Sequence, residues 1–154
     1  MPAPRFDHAV VIVVDTREQE PYTFSPEVQT VRRALPAGDY TVRGLEAVVA
    51  VERKTLDDLV STVIRSRERF HRELIRLQSY TASCVVVEAN LEDLLRGEYR
   101  GAAHPSSVLG AVISIIVDLR IPVFFCSNRQ AARLFAERYL LRCHRRFWRC
   151  HERQ

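Results

Sequence analysis

The chain has 154 residues, 47% of them hydrophobic and 27% charged, which is the size and balance of one globular domain and excludes a disordered tail or a pair of full domains. Its formal charge of +4 is unevenly placed: 22 of the 23 basic residues are arginine, Lys54 is the single lysine, and from Arg129 onward eight arginines stand against Glu137 and Glu152. No run approaches the roughly 18 apolar residues of a membrane span, and the opening MPAPRFDH lacks the basic-then-apolar pattern of a secretion signal, so a cytoplasmic location, nucleoid-associated in a bacterium, is expected.

Residues 9 to 15 (AVVIVVD) form a nearly unbroken β-branched run ending in Asp15, which predicts a central strand buried on both faces. A weaker strand at 28 to 34 is stopped by Leu35-Pro36-Ala37-Gly38, and strands at 39 to 43 and 47 to 53 are joined by Gly44-Leu45-Glu46 as a hairpin. Together these read as a three- or four-stranded meander. After Lys54 the period lengthens to about 3.6, and Thr55 ahead of Leu56-Asp57-Asp58 supplies a helix N-cap. Leu59, Val63 and Ile64 are expected to face inward. A second helix follows with Phe70, Leu74 and Leu77 on its apolar side and Arg65, Arg67, Arg69, Arg72 and Arg76 around the rest.

CVVVEA at 84 to 89 predicts another buried strand, residues 91 to 96 a short helix ended by Gly97, and Pro105 opens a helix to about 119 with Leu109, Val112, Ile113 and Ile116 inward. IPVFFCS at 121 to 127 is the last strand. A long basic helix from 129 to about 147 closes the chain, with Leu134, Phe135, Tyr139 and Leu141 as its apolar members; its arginines suit either attraction to phosphate or a solvated face. The whole reads as one mixed α/β domain, a central sheet flanked by helices, over residues 1–154 with its core at about 9–147. The four cysteines at 84, 126, 143 and 150 do not form a disulfide framework.

Chemistry concentrates at Gly38-Asp39 and Glu52-Arg53-Lys54. If Arg43 pairs with Val48 across the hairpin, Asp39 falls opposite Glu52, with side chains starting roughly 4.5 to 5.5 Å apart. Alternation then puts Ala50, Glu52 and Lys54 on one face and Val49, Val51 and Arg53 on the other. Two carboxylates with an ammonium beside them suit a hard divalent cation and the charge that develops on a phosphodiester under attack. Singly, Asp39 reads as a turn residue and Glu52 with Lys54 as a solvated strand face. The sole lysine of an arginine-rich chain favours the joint reading, because an ammonium is a compact point charge that a guanidinium cannot imitate.

Three segments, Val14-Asp15-Thr16-Arg17-Glu18, Leu35-Pro36-Ala37-Gly38-Asp39-Tyr40 and Val51-Glu52-Arg53-Lys54-Thr55-Leu56-Asp57-Asp58, resemble in order and spacing the V-D-x-R-E, G-D-Y and E-R-K-x-x-x-D motifs of XPF/Hef-type structure-specific endonucleases. The resemblance implies a restriction-endonuclease-like nuclease fold, Mg2+ or Mn2+ as cofactor, and cleavage of branched, flap or fork DNA near duplex/single-strand junctions. It implies Asp39 and Glu52 as main metal ligands, Asp15 as a further acid at the metal and Lys54 as the catalytic lysine. Arg17, Glu18, Arg53 and Asp58 match motif positions for substrate contact or support, and Arg67 one for phosphate contact. The family's glycine and glutamine near that arginine are absent, the sequence reading Ser66-Arg67-Glu68-Arg69-Phe70-His71-Arg72. No helix-hairpin-helix domain is expected within the chain, so substrate choice would be looser or come from a recruiting protein. Relatives commonly pair through their nuclease domains, which implies a homodimer through the last two helices.

Two further groupings carry less. Cys143-His144 and Cys150-His151 lie about 10.5 Å apart along a straight helix, too far for one zinc ion. His104, Ser106 and Asp118 show no strained nucleophile turn, and Ser106 reads as a helix-start residue. The competing reading of the chain is a non-catalytic DNA-binding or scaffold subunit of the same fold; a sequence-specific cleavage enzyme would need recognition elements for which there is little room.

Overall fold

A computed structural model describes residues 9–151. The opening MPAPRFDH lies outside the described residues, as do the side chains of residues 149–151, and with them Cys150 and His151. In chain order the elements are β1 (Val11–Asp15), β2 (Gln29–Arg33), β3 (Tyr40–Val42), β4 (Val49–Lys54), α1 (Leu56–Ile64), α2 (Arg67–Gln78), β5 (Ala82–Val87), α3 (Leu91–Leu95), α4 (Pro105–Asp118), β6 (Val123–Phe125) and α5 (Arg129–His151).

The six strands form one sheet in the order β2-β1-β3-β4-β5-β6. β1 and β2 are parallel, β3 is antiparallel to both β1 and β4, and β4, β5 and β6 are parallel. The mixed α/β architecture is therefore as read from the sequence, but the three- or four-stranded meander does not extend to β2. Residues 16 to 28 carry the chain back so that β2 joins β1 in parallel at the sheet edge, and only β1-β3-β4 runs antiparallel. The register across the hairpin pairs Tyr40 with Val51, which is the register that sets Asp39 against Glu52. Since β3 alone is reversed, its start lies at the same edge as the ends of β1, β4 and β5.

Two apolar layers bury the sheet. Ala50, Val85 and Val87 pack under α1, α2 and α4, whereas Val49, Val51, Cys84 and Val86 pack under α5 with Ala132, Ala136, Leu140 and Cys143. Every residue of β1 is buried, consistent with its unbroken apolar run. Thr55 caps α1 as expected, its side chain accepting from the Asp58 N–H at 3.1 Å.

Helix rotation departs from expectation at three places. Ile64 is exposed at the end of α1, and Val108, Val112 and Ile115 are the residues α4 buries, while Ile113, Ile116 and Val117 face outward. On α5, Leu134 is exposed and Leu140 takes the buried place. An α4 that is apolar around most of its circumference gives periodicity too little contrast to choose a face.

Cys84, Cys126 and Cys143 are buried free thiols. His104 is the N-cap of α4, its Nδ1 accepting from Ser106 N–H at 3.1 Å, and Asp118 is at the far end of the same helix, about 20 Å away. That separation removes the hydrolytic grouping. Among the described residues no helix is long and apolar enough to cross a membrane.

Candidate active site

The loop before β3 is tightened by Gly38, whose φ of +74° lies in the left-handed region and whose Cα faces β4 so closely that a Cβ would sit 3.2 Å from the Val51 carbonyl oxygen. Glycine there lets Asp39 enter the sheet edge at once: the Asp39 N–H donates to the Val51 carbonyl at 2.8 Å, and Asp39 Oδ2 accepts from the Arg53 N–H at 2.8 Å. On the partner strand Glu52 and Lys54 point the same way. Lys54 Nζ is 3.8 Å from Glu52 Oε1, with both side chains nearly covered at 13% and 12% exposure, and sits 5.0 Å above the Phe70 ring of α2. The acids and the lysine singled out from sequence therefore share one pocket.

Burial pushes the Asp39 carboxyl up to about 6, against the offsetting pull of the Arg53 N–H and the Lys54 charge. Glu52 is raised well above the ordinary carboxylate range, first by burial and then by the charge of Asp39, and Lys54 only partly offsets this. Two neighbouring carboxylates with too little positive charge form a hard-oxygen site that a small divalent cation would relieve. Among the described residues no three or more His, Cys, Asp or Glu are placed to hold one ion together. A pair of carboxylates still fits magnesium or manganese, since such ions are commonly held by one or two carboxylates with water and substrate phosphate oxygens completing the shell.

Asp15, the end of β1, lines the same pocket, but both its oxygens are engaged. Oδ1 accepts from the Leu35 N–H and Oδ2 from Arg17 Nε, each at 2.8 Å. It anchors the loop carrying Gly38 and Asp39, and the Asp15 N–H donates to the Asp39 carbonyl at 2.8 Å. The geometry thus gives Asp15 a holding role in the same pocket, beside the ligand role that the resemblance implies. Arg17, largely exposed, remains at the pocket rim.

Arg53 points through the sheet to the other face. Its Nε and Nη2 meet the two carboxylate oxygens of Glu18 at 2.9 and 2.8 Å, and Nη1 reaches Glu88 Oε1 at 3.0 Å. Burial disfavours the Glu18 anion, but the Arg53 hydrogen bonds and charge prevail and hold it below the usual carboxylate range.

Asp58 and Arg67 are not brought to the pocket. Asp58 lies in the first turn of α1 beside a depression shared with Arg65 and Arg100, and Arg67 borders a separate hollow between α2 and α4. The α2 residues that do line the pocket are Arg69, Glu73 and Arg76, which sequence reasoning had left among the helix's general charge. Their spacing of four and three residues was the available signal, because it marks one helical face, about 100° around from that of Phe70, Leu74 and Leu77.

The family model of the ERCC4 domain matches residues 14–137. A protein of Methanocaldococcus jannaschii that carries the name of an ATP-dependent RNA helicase is 30% identical over 122 residues, covering 79% of this chain but only 14% of that protein. The chain superimposes on XPF from Aeropyrum pernix with a TM-score of 0.68 at 25% identity, over 94% of this chain and 70% of that one. A second structure of XPF from Aeropyrum pernix, in complex with DNA, matches with a TM-score of 0.66 at 23% identity, over 88% and 65%. The motif-bearing strands β3 and β4 fall within the matched span, the six-strand fold is that of the XPF nuclease domain, and the chain belongs to the ERCC4 domain family.

Proposed function

We propose that the protein is a divalent-cation-dependent endonuclease that hydrolyses phosphodiester bonds in branched or flapped DNA near duplex/single-strand junctions. The observation that carries this reading is the desolvated Asp39–Glu52 pair with Lys54 beside it, in a pocket rimmed by Arg17, Arg69 and Arg76. The DNA complex of the similar Aeropyrum pernix XPF supports DNA as the substrate.

Asp39 and Glu52 would hold Mg2+ or Mn2+, which when bound polarises the phosphoryl oxygen and lowers the pKa of water. Arg53 N–H keeps Asp39 turned toward Glu52. Lys54, covered by Phe70 and tied to Glu52, presents its ammonium as a fixed point charge to the phosphate on which negative charge builds. The exposed guanidinium groups of Arg17 and Arg69 sit where flanking phosphates would pass.

The exposed apolar residues Ile113, Ile116 and Val117 form one face of α4, and Leu134 is exposed near the start of α5. We propose that this surface pairs two copies of the chain. Light scattering at tens of micromolar protein should give a dimer that Ile116→Glu converts to monomer; a wild-type monomer at that concentration would contradict the pairing.

In single-turnover cleavage of a flap substrate with manganese, Asp39→Asn and Glu52→Gln should each lower the rate by at least about a hundredfold while leaving DNA affinity largely intact. Lys54→Arg should lose a comparable factor, because a planar fork misplaces the charge by about 1 Å. Cleavage by either carboxylate variant within about tenfold of wild type would remove the metal from this site. A wild-type rate in Lys54→Arg would confine the catalytic case to the carboxylates.

Stability gives an independent check. A carboxyl whose folded-state pKa is raised binds more protons folded than unfolded, so its contribution worsens as pH rises through the interval from its ordinary 3.8 to about 6 for Asp39. In EDTA the wild-type melting temperature should therefore fall between about pH 5 and about pH 7.5. Glu52→Gln should flatten that fall and melt a few degrees higher at the upper pH, and manganese should raise the wild-type value. A Glu52→Gln protein that melts below wild type at about pH 7.5 would mean the carboxylate is stabilised by partners and not strained.

A further inference from the structure

Behind β4, on the face away from the pocket, lies a buried polar network that joins the motif residues Glu18, Tyr40 and Arg53 to Tyr22 and Glu88, which lie outside the motifs. Glu88, immediately after β5, divides its carboxylate: Oε1 accepts from Arg53 Nη1 at 3.0 Å, and Oε2 accepts from the Tyr22 hydroxyl at 2.6 Å. Arg129, at the start of α5, stands 3.6 Å from Oε2 and lies over the Tyr22 ring at 4.8 Å. Tyr22 in turn stacks on Tyr40, whose hydroxyl accepts from the Tyr22 N–H and donates to Glu18. Glu88 and Arg53 have side chains only 6% and 11% exposed.

Groups so deeply buried are costly, and an apolar packing of the same volume is often equally stable. What an apolar packing would not do is fix the azimuth of Arg53. The Arg53 side chain is gripped from two directions, by Glu18 from the loop after β1 and by Glu88 from beyond β5, and its own N–H is the donor that orients Asp39 Oδ2. Release of Glu88 leaves the guanidinium held by Glu18 alone, with one contact fewer behind the residue whose N–H meets Asp39.

We propose that Glu88 and Tyr22 are positioning residues for Asp39: through Arg53 they hold the carboxylate in the orientation that captures the divalent cation. The inference rests on the cation site proposed above and deepens it. Hydrogen-bond partners behind a metal ligand commonly change metal affinity by about 10- to 100-fold when removed, and here the partner acts one residue further back.

The test is direct Mn2+ binding, followed by the electron paramagnetic resonance signal of free Mn2+, on wild type, Glu88→Gln and Tyr22→Phe, with near-UV circular dichroism and melting curves on the same samples. Glu88→Gln should weaken Mn2+ binding about tenfold. Tyr22→Phe, which keeps the ring stack and loses only the hydroxyl, should weaken it by a smaller factor. Flap-DNA affinity in EDTA should stay within about twofold, and the cleavage defect should shrink as Mn2+ is raised. If Glu88→Gln does not fold, Tyr22→Phe alone decides. A folded Glu88→Gln with Mn2+ affinity within about twofold of wild type, or a loss wholly accounted for by unfolding at the assay temperature, would overturn the proposal. A wild-type protein that binds Mn2+ but leaves DNA uncut would sink the nuclease reading and leave this one standing.

Discussion

Everything at the site follows from the pleat of one strand meeting the reversed direction of its neighbour. β4 must send residues 52 and 54 to one face and residue 53 to the other, and β3, the single antiparallel strand, must deliver its first residues to the edge where β4 ends. Glu52 and Lys54 thereby face Asp39 across the ladder. Arg53 is left to pass beneath the sheet, where Glu18 and Glu88 wait for it. A one-residue slip in the register would exchange the two faces and bury the lysine among carboxylates meant for the arginine.

The two faces are electrostatically unlike for that reason. Below the sheet, Arg53 lies between two carboxylates, and Glu18 stays ionised in spite of burial. Above it, Asp39 and Glu52 are desolvated, the Arg53 N–H and Lys54 only partly offset this, and their proton affinities rise. Such crowding of buried carboxylates is unfavourable to the ionised forms in the absence of added positive charge. Asp15 holds the loop that carries Asp39 through its side chain, and so helps to fix where another acid stands.

The meeting of Asp39 with Glu52 was legible in the sequence because its determinants are local. Gly38 and Gly44 bound the hairpin, the register follows from its loop, and alternation does the rest. The parallel return of β2 was not legible, since nothing in residues 29 to 33 distinguishes a neighbour in a meander from an edge strand reached by crossover. Arg67 and Arg69 are the same residue type two positions apart, about 200° around a helix, so only the seating of Phe70 and Leu74 in the core decides which of them reaches the pocket. Tyr22 and Glu88 are 66 residues apart and meet only once the sheet has formed. No short-range pattern announces such a pair.

The most direct measurement of the central claim is anomalous X-ray scattering at the manganese edge from crystals of the wild-type protein soaked in Mn2+. The account predicts a peak at the Asp39 and Glu52 carboxylates. A peak elsewhere in a well-ordered map, or none at this pair in a crystal whose pocket is open to solvent, would contradict it.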